Sequence, residues 1–137
     1  MAWYADSAEC DYFRSSHSSI LRAVGWLERG KPYTRGTVEP AIFNALSQLL
    51  KEPWAPCFFM GFHECDLCSG KSEYGKNNLF IPGDGFLFVC PELILHYIKK
   101  HEYIPPADFC DAVLVCPPMN SKAYLEAVEP IWQSKTQ

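Results

Sequence analysis

The sequence predicts an α+β fold, a small antiparallel sheet with about four helices, and three observations lead to it. Two short β-type runs, LFI at 79–81 and FLFV at 86–89, flank the turn PGDG at 82–85 and read as a hairpin. Stretches with helical spacing or helical end signals recur at 37–52, 91–101, 107–115 and 121–129. Between the first helix and the hairpin lies HECDLC, residues 63–68, with one histidine and two cysteines in six positions. That order predicts a zinc knuckle, then a hairpin, then a helix.

Residues 1–16 show no clear period. The run ILRAVGWLE (20–28) reads as a helix led by Ser18-Ser19 or as a buried strand, and the β-branched and aromatic residues around Gly25 favour the strand. RGKPYTRG (29–36) is a turn or loop. In TVEPAIFNALSQLLKE, Thr37 is placed to cap a helix and Pro40 falls in its tolerant first turn. Ile42, Phe43, Leu46, Leu49 and Leu50 form one apolar stripe, and Pro53 stops the helix. CFFMGF (57–62) reads as a short buried strand, and SGKSEYGKNN (69–78) as a polar loop. PELILHYIKKH (91–101) opens with Pro91 and Glu92 and closes with Lys99, Lys100 and His101, which suits the helix dipole at both ends. Pro105-Pro106 separates it from a short helix at 107–115. The last helix, 121–129, is capped by Asn120 or Ser121 and ended by Pro130, with a frayed tail after it. All 137 residues are expected to form one domain, with the zinc-binding segment at about 57–106.

Twelve basic against sixteen acidic residues leave a net charge of −4, and no basic cluster exceeds Lys99-Lys100. A sequence-independent grip on phosphates needs a basic stripe, so nucleic acid is not an expected partner. The start, MAWYADSAECDYFRSS, lacks the basic and apolar regions of a signal peptide. No apolar run approaches the roughly 18 residues of a membrane span. The expectation is a cytoplasmic protein without membrane contact, whose seven cysteines stay reduced.

Cys65-x2-Cys68 lets two thiolates grip one ion from a tight turn, whose backbone amides can hydrogen-bond the sulfurs. Zinc prefers four sulfur and nitrogen ligands in a tetrahedron, in pairs from separate chain segments. His96 and His101 are the first candidates for the second pair. Five residues of ideal helix leave their side chains roughly 140° apart, so they converge only if the last turn tightens or unwinds. His63 ranks next, as a possible third ligand. Cys90 ranks last; at a helix start its thiolate would be favoured, but the alternation of FLFVC places it as easily in the core. Two blander readings stand beside this one. CxxC arises by chance in a cysteine-containing chain, and free cysteines are among the most buried residues. A redox pair is disfavoured, because CDLC runs into a polar loop whereas a thioredoxin-like pair opens a helix.

Catalytic motifs fail at single positions. A phosphate loop ending in GKS at 70–72 would need glycine where Cys65 stands, and HExxH would need histidine where Leu67 and Pro105 stand. The zinc-deaminase and nucleophile-elbow signatures are absent from the sequence. No catalytic residue is assigned. Asp6, Asp11, Asp84 and Glu102 read as turn, cap or surface acids, and the four tryptophans as core or core edge. The expected function is a non-enzymatic, zinc-stabilised interaction protein, in one version an antitoxin-like module that masks a basic partner protein. The alternative is a zinc hydrolase with three protein ligands, an open water position and Glu64 or Glu102 as base.

The segments YAD (4–6), AVGWLERGKPY (23–33), GFHECDLC (61–68), NLFIPGDGFLFVCPELILHYIKKHEYIPP (78–106) and the CPPM-x4-YL ending (116–125) resemble a family of small, functionally uncharacterised bacterial proteins. The resemblance implies a cytoplasmic bacterial protein in which the HECxLC and HYIxxH segments belong to one site. It implies no activity.

Overall fold

The computed structural model describes residues 2–13, 17–56, 62–69 and 73–134. A three-stranded sheet is built from β1 (Leu21–Ala23), β4 (Asn78–Pro82) and β5 (Leu87–Pro91), in the order β1-β5-β4. A separate two-stranded ribbon pairs β2 (His63–Glu64) with β3 (Tyr74–Gly75). Among the described residues, four α-helices follow the α+β expectation: α1 (Pro40–Leu49), α2 (Ile94–His101), α3 (Ala107–Val115) and α4 (Lys122–Gln133).

The β4–β5 hairpin forms where PGDG predicts it, with Phe80 opposite Val89. The β1–β5 pair is parallel, so the main sheet is mixed. Strand β1 reaches β5 by a long crossover that carries α1 and the ribbon, and such an excursion allows parallel pairing. The outer edge of β1 is met by residues 7–10: Ser7 N–H donates to Ala23 O at 2.7 Å, and Ala23 N–H to Ala8 O at 2.8 Å.

The sheet is buried on both faces. Leu79, Ile81, Phe88 and Cys90 face a core with Leu46 of α1, Tyr97 of α2 and Phe109 of α3. Leu21, Ala23, Phe80, Leu87 and Val89 face a second core with Trp26 and with Tyr124, Val128 and Trp132 of α4. Alternation along each strand assigns neighbouring residues to opposite cores.

Several local expectations give way to tertiary context. Helix α1 begins after Glu39, and neither Thr37 nor any other side chain caps it. Pro91 closes β5 instead of opening α2, and Glu92 turns back so that its Oε1 accepts the Lys76 and Asn77 amides at 3.1 and 3.2 Å. The predicted loop at 69–78 contains β3. Residues 57–61 of the predicted strand CFFMGF lie outside the described residues; Phe62 carries no strand pairing. Asp6 lies in a turn, as one of its readings has it, but it is no surface acid. It is half-buried, accepts the Gly25 amide at 3.0 Å, and takes the Tyr103 hydroxyl at 2.9 Å on each oxygen. Gly25 is required there: its φ of 77° disfavours a side chain, and a Cβ would stand 3.2 Å from Ile94.

Pro130 does not end α4, which runs on to Gln133. Proline inside a helix costs about 3 kcal/mol, so packing must hold the final turn. Trp132 supplies it, only 9% exposed, stacked on His17 at 3.5 Å and edge-on to Trp54 and Phe80 at 6.0 and 5.9 Å. Trp132→Ala is therefore expected to cost about 3 kcal/mol. Urea unfolding checks this, and an unchanged midpoint would mean that the segment after Pro130 contributes nothing.

Candidate metal centre

The ribbon brings HECDLC to the end of α2. Residues 62–66 alternate between exposed and buried, so His63 and Cys65 point inward while Phe62, Glu64 and Asp66 point outward. Cys65 N–H donates to Glu73 O at 3.0 Å, which extends the β2–β3 ladder into the knuckle. Gly75 lets the ribbon approach α2 closely, since a Cβ would lie 3.2 Å from Glu92 Cβ and 3.4 Å from Leu93 Cγ.

Arg29 fixes the knuckle from the other side. Its backbone N–H donates to the Asp66 carboxylate at 2.8 Å. Its guanidinium donates to the carbonyls of Asp66 and Cys68, both at 3.0 Å. The amides of Leu67 and Cys68 hydrogen-bond the Cys65 sulfur, as the tight turn predicts.

Helix α2 presents His96 and His101. The regular helix ends at His101, and Glu102 adopts the left-handed conformation with φ 58°. The N–H groups of Glu102 and Tyr103 both reach back to Tyr97 O, so the helix end is widened rather than regular. Tyr33 OH donates to His101 O at 2.9 Å and anchors that end. His101 Nε2 lies 3.4 Å from Cys65 Sγ and 3.5 Å from Cys68 Sγ, and His96 Nε2 lies 3.2 Å from Cys68 Sγ. Donor atoms of all four residues fall within 4.8 Å of one another, close enough to hold one metal ion.

The surroundings hold these side chains in defined states. Burial pushes the His96 imidazole below its ordinary range, with Glu73 opposing and Lys100 assisting. Burial does the same to His101, helped by His96 and Arg35. Both rings are thereby favoured as neutral imidazoles, the form that offers a lone pair. Burial raises the Cys65 thiol, partly offset by the Leu67 and Cys68 amides.

The two rival ligands lie elsewhere. His63 turns into the aromatic cluster, 5.3 Å from the Tyr12 ring and 5.4 Å from Trp26. Cys90 is wholly buried in the sheet core, where burial drives its thiol far above the ordinary range. Strand alternation explains Cys90, which belongs to the face of β5 covered by α1 to α3. His63 shares the inner face of the ribbon with Cys65, but two residues earlier, where that face meets Tyr12 and Trp26. Of the two candidate bases, Glu102 faces solvent and pairs with Arg35 at 3.7 Å, whereas Glu64 lines a surface cleft of about 350 Å³ beside Cys65 and Cys68. The clamp by Arg29 has no signature in the sequence. It lies in AVGWLERGKPY, but nothing in that pattern says where its guanidinium goes.

Fold and site together define a small α+β protein with a Cys2His2 cluster between a knuckle and a helix end. The chain matches the family described as "Domain of unknown function (DUF7919)" over residues 2–114, and it belongs to that family. No curated protein and no solved structure matches it. Among the described residues, no helix is long and apolar enough to cross a membrane.

Arg29→Ala should loosen the knuckle and leave the sheet intact. Loss of its charged hydrogen bonds is worth about 1.5 kcal/mol, or roughly tenfold faster amide exchange at 65–68 with β4 and β5 unchanged. Uniform acceleration across the chain would show that Arg29 acts on global stability instead.

Proposed function

We propose that Cys65, Cys68, His96 and His101 form a closed structural zinc site, and that the protein is a non-enzymatic, zinc-stabilised interaction module. The observation that carries this is the convergence of two thiols and two imidazoles on one point. Sulfur and nitrogen ligands at about 2.3 and 2.0–2.1 Å in a tetrahedron stand roughly 3.6 Å apart. The three sulfur–nitrogen separations of 3.2, 3.4 and 3.5 Å come close to that value. Mixed S2N2 tetrahedra suit zinc. Cys65 and Cys68 are free thiols, and CDLC opens no helix of the kind a thioredoxin-like pair would.

Four protein donors fill a zinc tetrahedron and leave no place for an activated water. The role is then mechanical: zinc fastens the ribbon to α2. A net charge of −4 and six described cysteines outside disulfides fit a cytoplasmic module that meets a basic protein, and an antitoxin-like role is one form of this. Glu64 in the cleft beside both cysteines is the feature that keeps a hydrolase as the second reading. That reading requires one of the four ligands to leave the metal.

Protein purified without chelator should carry about one zinc per chain. Cys65→Ser and His101→Ala should each abolish retention of the metal, while His63→Ala and Cys90→Ser retain it. Elemental analysis of the four variants decides between the ligand sets. Structural zinc supplies on the order of 10 kcal/mol in small domains, so a strong chelator should lower the wild-type Tm sharply and leave Cys65→Ser unaffected. A wild type that melts alike with and without chelator would end the structural reading. A cobalt-substituted protein whose spectrum shows bound solvent, with ester or peptide hydrolysis lost in Glu64→Gln, would replace it by the hydrolase.

A further inference from the structure

The outer face of the ribbon carries two large aromatic side chains in solvent. Phe62 is 74% exposed and Tyr74 62%. Glu64 stands opposite Tyr74 in the register, and alternation sets Phe62 on the same side, two residues before Glu64. The inner face of the ribbon is spent on the core through His63 and Gly75, so the outer face has no partner within the described residues. Exposed aromatics grouped on one face mark partner surfaces more often than solvated ones.

Charge identifies the partner. Glu64 joins this face to the cleft whose charged lining is Glu28, Arg29, Glu64 and Asp66. The Arg29 guanidinium is committed to the carbonyls of Asp66 and Cys68. Among the described residues, neither Glu28, Glu64 nor Asp66 forms an ion pair with lysine or arginine; the pairs present are Arg35–Glu102 and Lys122–Glu126. Three carboxylates and one cation leave the cleft net negative. A divalent ion bound by two thiolates and two neutral imidazoles adds no net charge, so metal loading leaves this unchanged. At about 350 Å³ the cleft is at the small end of the roughly 300–1,000 Å³ of ligand pockets, which suits one side chain better than a cofactor. A second copy of a chain with net charge −4 would bring like charge to it.

We infer that the outer face of the ribbon and the adjoining cleft form a docking surface for a partner protein that presents an arginine or lysine beside an apolar residue. The cation sits among Glu28, Glu64 and Asp66, and the apolar neighbour lies on Phe62 and Tyr74. The inference rests on the interaction-module reading and supplies the surface and partner chemistry that reading lacks.

The test is selection of a random-peptide phage library on the metal-loaded protein, followed by affinity measurement of the selected peptides. Peptides with arginine or lysine next to an apolar residue are expected. Phe62→Ser and Tyr74→Ser should each weaken binding about tenfold, equivalent to about 1.4 kcal/mol, and Glu64→Lys should weaken it more and flatten its salt dependence. Metal content and Tm are measured for every variant, and both should stay at wild-type values because the three side chains face solvent. Selected peptides that are acidic, that bind the variants as well as the wild type, or that are not enriched at all would overturn the inference. So would sedimentation of the wild type as a dimer that Phe62→Ser dissolves. Binding that follows the variants in protein found to hold no zinc would uphold the surface and refute the zinc site, which separates the two failures.

Discussion

Strand β5 has no solvent-facing side, and the rest of the fold is arranged around that constraint. All five of its residues are buried, and it pairs with β1 on one edge and β4 on the other. Val89 O accepts both the Val24 amide and the Trp26 indole N–H at 3.0 Å, so the segment after β1 is tied to the same strand. Both faces need apolar cover. Helices α1 to α3 supply it on one side, and α4 with Trp26 supplies it on the other. Helix α2 follows β5 within three residues, so its position is inherited from the sheet. His96 and His101 are thus carried on an element whose place is set by a core.

The ribbon is held differently. Among the described residues, His63, Cys65 and Gly75 turn inward from it and Leu67 and Cys68 pack partly on the core, which is little apolar area, and a two-stranded hairpin is marginal by itself in water. Its attachment comes from a few specific contacts: hydrogen bonds from Arg29 to the knuckle and from the amides of Lys76 and Asn77 to Glu92, and the close packing of Gly75 on Glu92 and Leu93. A metal shared by Cys65, Cys68, His96 and His101 would join the weakly held ribbon to the well-held helix. That difference in support would give a metal at this cluster a structural task.

The division also separates the two faces of the ribbon. The inner face is committed to the fold, while the outer face, with Phe62, Glu64 and Tyr74, contributes nothing visible to the core. Residues free of structural duty are where a partner surface can be built without cost to stability.

The sequence by itself determined the α+β class, the β4–β5 hairpin and the region of each helix, because period and turn chemistry are local properties. It also brought forward Cys65, Cys68, His96 and His101 as one group, since short ligand spacings are visible in the chain. Tertiary structure alone decided the rest. Whether Cys90 would join the group depended on which face of β5 it occupies, and a shift of one residue reverses that face. Whether His63 would join depended on the aromatic cluster of Tyr12 and Trp26 that the fold brings to it. The parallel pairing of β1 with β5 spans more than sixty residues and has no local signature. Pro130 reads as a stop until Trp132 is seen to anchor the turn beyond it. Asp6 reads as a turn, cap or surface acid, and its burial emerges only when Tyr103 and Gly25 are found around it. In each case a long-range contact outweighs a local preference of a few kcal/mol, and such contacts exist only once the chain is folded.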